Sequence, residues 1–186
     1  DTPVHVNDSA VAIDEQDAIG CRFERGAQAS PCVREIVLGA AHPTARDLLT
    51  GDGISESSIF GELEGVRVKC RPDRLIREHN ILVDVKKTAS IHDFRKSAIK
   101  FRYRVQHAFY SDIYEQLTGV KPRFVFVVVG EKREIGRHPV RVWELDEVDV
   151  EAGRREYLDD LAIAKEVEQF GCGLHIERLS LENRFT

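Results

Sequence analysis

The chain has 186 residues, 42% of them hydrophobic and 32% charged, with a formal net charge of −5. These proportions fit one globular domain with its own core and exclude a disordered tail. The longest apolar run, Phe124 to Val129, is far short of the roughly 20 residues that span a bilayer, so no membrane association is expected.

The four cysteines (Cys21, Cys32, Cys70, Cys172) show no C-x-x-C spacing and the seven histidines no H-x-x-x-H pair, so a zinc site is not expected. No basic, apolar leader opens the chain, and a cytoplasmic protein with reduced thiols is the expectation. Methionine is absent and the chain begins Asp1-Thr2-Pro3. That combination suggests a trimmed chain or a piece of a longer one, with an N-terminal part upstream of Asp1.

Residues 1–14 have no clear period and read as a loose lead-in. Residues 15–40 are helix-like but interrupted, with a new start at Ser30-Pro31. His42 to Leu49 reads as a short helix ended by Gly51-Asp52-Gly53. From Glu56 the period changes to two: a strand over Ser57–Glu62, a turn at Glu64-Gly65, a second strand over Val66–Cys70 continued through Arg77 after Pro72, and a third over Asn80–Lys86. Ile91, Phe94, Ala98 and Ile99 recur at helical spacing, and a longer helix runs from Tyr103 to a C-cap at Gly119. The apolar run after Pro122 fits a central strand covered on both faces, with Arg141–Leu145 as its neighbour. An acidic helix closes the pattern from Glu147 to Gln169. The order predicts an α/β fold with a mixed sheet flanked by helices.

Charge is distributed unevenly. Residues 1–20 carry five acids and no Lys or Arg, and residues 131–186 carry 14 acids against nine bases. Between them, Lys86, Lys87, Arg95, Lys96, Lys100, Arg102 and Arg104 face only Asp93. A basic segment in an acidic chain marks either an anion-binding surface or a solvated helix face.

The residues that carry chemistry flank the third strand. Asp73 sits at the start of one strand and Asp84 near the end of the next, where a hairpin brings them together. Asp84 and Lys86 are two apart and share a face. Two carboxylates are hard oxygen ligands for Mg²⁺, with the Val85 carbonyl as a further donor. A metal there polarises a phosphate and lowers the pKa of an attacking water, and an ammonium beside it orients that water or stabilises the charge that develops. A strand-end salt bridge is the bland alternative. Gln106 and Tyr110, spaced i and i+4, share one face of the following helix, as ordinary packing residues also do.

These residues resemble the PD-(D/E)xK nuclease superfamily, and within its RecB-like branch the exonuclease VIII (RecE-like) phage-type exonucleases. The stretches that carry the resemblance are Glu56 to Phe60, Cys70-Arg71-Pro72-Asp73, Val83 to Ala89, Tyr103 to Asp112, the strand from Pro122 to Val129, and Gly136 to Val140. Together they span about residues 40–160.

The resemblance implies a restriction-endonuclease-like core within a single nuclease domain. It implies a Mg²⁺-dependent, ATP-independent exodeoxyribonuclease, with Mn²⁺ as an alternative metal. Such an enzyme degrades linear double-stranded DNA 5′→3′ for recombination by single-strand annealing. By the same resemblance Asp73 and Asp84 bind metal, Lys86 is catalytic, and Gln106 with Tyr110 supports the site and the DNA end. Lys87, Arg95, Lys96, Lys100, Arg102 and Arg104 are candidate phosphate contacts. A bacterial or phage-encoded homo-oligomeric ring, working with a single-strand annealing protein, is the implied setting.

Two departures stand out. Lys87 occupies a position where the family usually has Thr. No G-x-x-x-H-x-x-x-L-E-P helix, whose His completes the family's active site, occurs here; His5 and His42 are poor replacements, and Glu56 is either a further site residue or a strand-edge residue. Two alternatives follow: a nuclease-fold DNA-binding or assembly module without turnover, and a restriction-like endonuclease.

Overall fold

A computed structural model describes residues 42–134 and 138–170, with side chains as far as Val167. The expected lead-in, the helical stretch before His42, and Cys21, Cys32 and Cys172 lie outside the described residues. The elements are α1 (Pro43–Thr50), β1 (Ile54–Ser55), β2 (Ile59–Leu63), β3 (Val66–Cys70), β4 (Arg74–Ile76), a 3₁₀ turn (Arg77–His79), β5 (Ile81–Thr88), α2 (Phe94–Lys100), α3 (Tyr103–Thr118), β6 (Arg123–Gly130), β7 (Val140–Trp143) and α4 (Glu147–Phe170). No helix among the described residues is long and apolar enough to cross a membrane.

Five strands form one mixed sheet in the order β1-β4-β5-β6-β7. β4 runs antiparallel to β5, β5 parallel to β6, and β6 antiparallel to β7. The parallel pair requires a long crossover, and α2 with α3 supplies it. β6 is apolar from Phe124 to Val129, and β5 is apolar from Ile81 to Val83, because both faces of this part of the sheet are covered. On one face, Val83, Val85, Val127 and Val129 pack against Ala45 and Leu49 of α1. On the other, Leu82, Phe124, Phe126 and Val128 pack against α3 and α4. Asp84 and Lys86 share parity with Leu82, so they fall on the α3 side.

The expected continuation of the second strand through Arg71–Arg77 does not occur. β2 and β3 form a separate two-stranded hairpin, and β4 belongs to the main sheet. Pro72 breaks the ladder because it has no N–H to donate, and the chain changes sheets at Arg71-Pro72-Asp73. The first strand of the hairpin starts at Ile59 rather than Ser57, because Glu56 takes a left-handed conformation (φ 55°) that ends β1 and reorients the chain. β1 pairs with β4 through two residues only, too short to leave a period in the sequence.

Several side chains pin helices to this frame. Asn80, left-handed at the end of the 3₁₀ turn, accepts a hydrogen bond from the Tyr114 hydroxyl (2.8 Å), tying the β4–β5 connection to α3. Arg154 of α4 forks onto both oxygens of Asp112 in α3 (2.7 and 2.8 Å), and the Tyr157 hydroxyl donates to the same carboxylate. At the α3–α4 crossing, a Cβ on Gly153 would collide with the Arg104 carbonyl, so only glycine permits this approach. Gly119, at φ 70°, closes α3 with its N–H on the Glu115 carbonyl, the C-cap expected from the sequence.

Candidate active site

The two aspartates meet through strand register. Arg74 pairs with Val83, so Asp73, one residue earlier, lies level with Asp84. Asp73 Oδ2 accepts the Val85 N–H at 2.6 Å. Asp84 is buried, and its Oδ1 accepts a hydrogen bond from Gln106 Nε2 at 2.5 Å. The Lys86 ammonium lies 2.7 Å from Asp84 Oδ2. Among the described residues Lys86 is the one cation paired with Asp84 Oδ2. Lys86 also sits 4.6 Å above the centre of the Tyr103 ring, a cation–π contact that fixes the long side chain. Tyr110 lies one turn after Gln106, close enough that Gln106 and the Arg71 backbone both act on its hydroxyl.

The electrostatics follow from crowding acids in a dry place. Burial, then the neighbouring Asp84 charge, pushes the Asp73 carboxyl up to about 7, against the opposing Val85 N–H and Lys86. Asp84 is raised chiefly by burial, and Lys86 and Gln106 pull against that rise. A buried carboxylate pair that resists ionising in water is stabilised in the ionised form by a cation between its members. Apart from Lys86 no side chain among the described residues meets Asp84 Oδ2, and one Asp73 oxygen takes the Val85 N–H, so two hard carboxylates side by side fit a divalent cation. Among the described residues no group of three or more His, Cys, Asp or Glu side chains is arranged as a metal site; the two aspartates are what converge.

Glu56 lies close enough that its charge raises both Asp73 and Asp84. Its N–H donates to the Asp73 carbonyl (3.1 Å) and its carboxylate pairs with Arg71 (3.2 Å). His42 is not brought to the site. It caps α1, its Nδ1 accepting from the Ala45 N–H at 3.5 Å, and α1 covers the opposite face of the sheet. Val85 enters through its N–H.

The basic segment divides. Arg102 pairs with Glu156 (3.2 Å) and Asp160 (2.8 Å), and Arg104 pairs with Glu156, so two of the candidate phosphate contacts hold α4 in place. Lys96 pairs with Asp93 (2.8 Å) and Lys87 lies 3.8 Å from Glu131. Arg95 lines a cavity of about 430 Å³ between α2 and the start of α4, with Ile91, Phe94, Trp143 and Asp149. Lys100 lies over the Phe101 ring at 5.3 Å.

Tyr103 is the residue sequence reasoning missed. Its position three residues before Gln106 on one helix face was the available signal. His107, on the same helix, plays no part in the site. It is buried, stacked on Phe124 at 4.7 Å, with its Nδ1 unpartnered, and burial lowers it to about 4. The Cys70 thiol is likewise buried and pushed up to about 12, too high for a nucleophile.

A central strand carrying Asp-x-Lys, a second aspartate one strand away and a helical glutamine behind them, on a mixed sheet flanked by helices, define a PD-(D/E)xK domain with a restriction-endonuclease-like core. Residues 29–171 match the PDDEXK-like domain of unknown function (DUF3799), and the chain belongs to that family. The fold is similar to the crystal structure of a candidate exonuclease from Eubacterium rectale, at 18% identity and a TM-score of 0.63. That match covers 81% of this chain and 62% of the other, so the chain spans under two thirds of that protein's length. A second solved structure, SSO0001, matches at 16% identity over 78% of this chain and 63% of its own, with a TM-score of 0.41, too low to carry an argument. No curated protein matches the chain.

Proposed function

We propose that this chain is the catalytic core of a Mg²⁺-dependent exodeoxyribonuclease acting on linear double-stranded DNA. The observation that carries the reading is the convergence of Asp73, Asp84, Lys86 and Gln106 on the α3 side of β5. Asp73 and Asp84, with the Val85 carbonyl, would hold the cation. That cation would polarise the scissile phosphate and acidify an attacking water.

This chain's own residues do the rest. Gln106 keeps one oxygen of Asp84 occupied, so the oxygen that Lys86 meets is the one a cation would take. Tyr110 holds Gln106 in that orientation. Lys86, steadied between Asp84 and the Tyr103 ring, would stabilise negative charge on the phosphate as water adds and the sugar oxygen departs. Lys87, Arg95, Lys96 and Lys100 serve as outer phosphate contacts.

The 5′→3′ polarity, the annealing-protein partner, the ring assembly and the role in recombination rest on resemblance to exonuclease VIII-like enzymes. Asp84→Asn or Lys86→Ala should abolish Mg²⁺-dependent release of nucleotides from linear duplex DNA, and undiminished release by either purified variant would overturn the assignment. A DNA-binding module without turnover is the second reading. It is favoured by the absence of a third metal-ligating side chain among the described residues, and predicts DNA binding without hydrolysis in Mg²⁺ or Mn²⁺. Cleavage of covalently closed circular DNA would point instead to an endonuclease.

A further inference from the structure

The corner between α2 and α3 exposes an aromatic ring where folding gives no reason for one. Phe101 is 58% exposed. It is the C-cap of α2, its N–H bound to the Ser97 carbonyl at 2.9 Å. The next residue, Arg102, takes a left-handed conformation (φ 55°) and is clamped by Glu156 and Asp160 of α4. The ring is therefore held on a rigid corner rather than on a wandering loop.

What lies behind that ring connects it to the site. Phe101 stacks on Tyr103, with centroids 5.9 Å apart and planes 26° from parallel. Tyr103 is the ring beneath the Lys86 ammonium. A short aromatic path thus runs from solvent to the lysine that pairs with Asp84. One face of Phe101 is backed by Tyr103, and a cation stands nearby. Lys100 lies 5.3 Å from the ring centroid. Among the described residues it makes no ion pair with a carboxylate, unlike Lys96, Arg102 and Arg104.

A half-exposed ring with a lysine that pairs with no carboxylate beside it is matched by a nucleobase and its phosphate. Bases stack on aromatic faces while the backbone runs along positive charge. An apolar protein partner would leave Lys100 without a partner.

We propose that Phe101 is a stacking surface for an unpaired base at the end of the DNA strand that enters the Asp73–Asp84–Lys86 site. The identity of the polymer rests on the nuclease reading above. Phe101 positions the strand and takes no part in the chemistry.

The test uses duplex oligonucleotides carrying 2-aminopurine at the terminal or an internal position, bound to the full chain in an Asp84→Asn background. Terminal 2-aminopurine should be quenched on binding, and internal 2-aminopurine should not. Adding Phe101→Ala should remove the terminal quench and weaken affinity for ends about tenfold, the size expected for one lost base–aromatic stack. Adding Phe101→Trp should preserve both. The ring is exposed, so neither substitution threatens the fold.

Unchanged quench and affinity in the Phe101→Ala variant overturn the proposal. So does failure of the Asp84→Asn parent to bind DNA. A fall in oligomer size by light scattering on Phe101→Ala also overturns it, because the ring would then be buried between copies. If the wild-type chain binds and quenches but hydrolyses nothing, the nuclease reading fails and the stacking surface stands. If it hydrolyses DNA and Phe101→Ala changes neither quench nor KM, the reverse holds.

Discussion

Neutralising Asp73 should stabilise the metal-free protein while destroying its site. The Asp73 carboxyl is raised from 3.8 to about 7 by burial and by Asp84. The folded state therefore binds this proton more tightly than the unfolded chain. That contribution to stability is complete below pH 3.8 and is lost as pH rises through 7. At 1.36 kcal/mol per pH unit, the gap corresponds to about 4 kcal/mol of destabilisation at pH 8 and less than half of that at pH 5. Asp73→Asn keeps the shape and an oxygen for the Val85 N–H, and removes the charge. In EDTA the variant should be about 2–4 kcal/mol more stable than wild type at pH 8, with the advantage shrinking by more than half at pH 5. Mg²⁺ should stabilise wild type and leave the variant unmoved, because only the ionised pair gains from the cation. Urea unfolding followed by fluorescence of Trp143, the one tryptophan, reads all three arms. A variant no more stable than wild type at pH 8, or an advantage that does not change between pH 5 and 8, would refute the reasoning.

Three further outcomes are expected. His107 is buried and lowered from 6.5 to about 4, so its contribution is complete above pH 6.5 and about 3 kcal/mol is lost as pH falls toward 4. His107→Phe should flatten that part of the acid limb, read from urea midpoints at pH 7 and pH 5. Arg154→Met strands the Asp112 carboxylate against Tyr157 and should cost about 3 kcal/mol, with part recovered in the Arg154→Met/Asp112→Asn double variant, measured by thermal unfolding. Gln106→Leu releases Asp84 Oδ1 and should lower kcat on linear duplex DNA about 10- to 100-fold with KM nearly unchanged, checked by steady-state kinetics.

Local periods carried much of the fold and of the site. Period two placed Asp84 and Lys86 on one face of β5, and they are 2.7 Å apart. Helical spacing placed Gln106 and Tyr110 together behind them. The apolar run after Pro122 announced a strand covered on both faces, and Gly119 marked the end of α3. Each of these is a short-range property, set by side-chain parity or by the backbone freedom of one residue, and short-range properties are written in adjacent letters.

Tertiary structure decided the rest. The chain changes sheets at Pro72 because β4 finds β1 and β5 as partners, and β1 leaves almost no trace in the sequence. Arg102 and Arg104 looked like free cations beside the motif. Glu156 and Asp160, more than 50 residues later, neutralise them once α4 packs on α3. Glu56 reaches the aspartates only because a left-handed residue turns the chain there. The acidity of Asp73 depends on how much water the packed sheet excludes. By itself the sequence determined which groups could act and on which face of their own element they stand. Which charges remain uncompensated, and how strongly two carboxylates repel, depends on distances and burial that exist only after the helices have packed on the sheet.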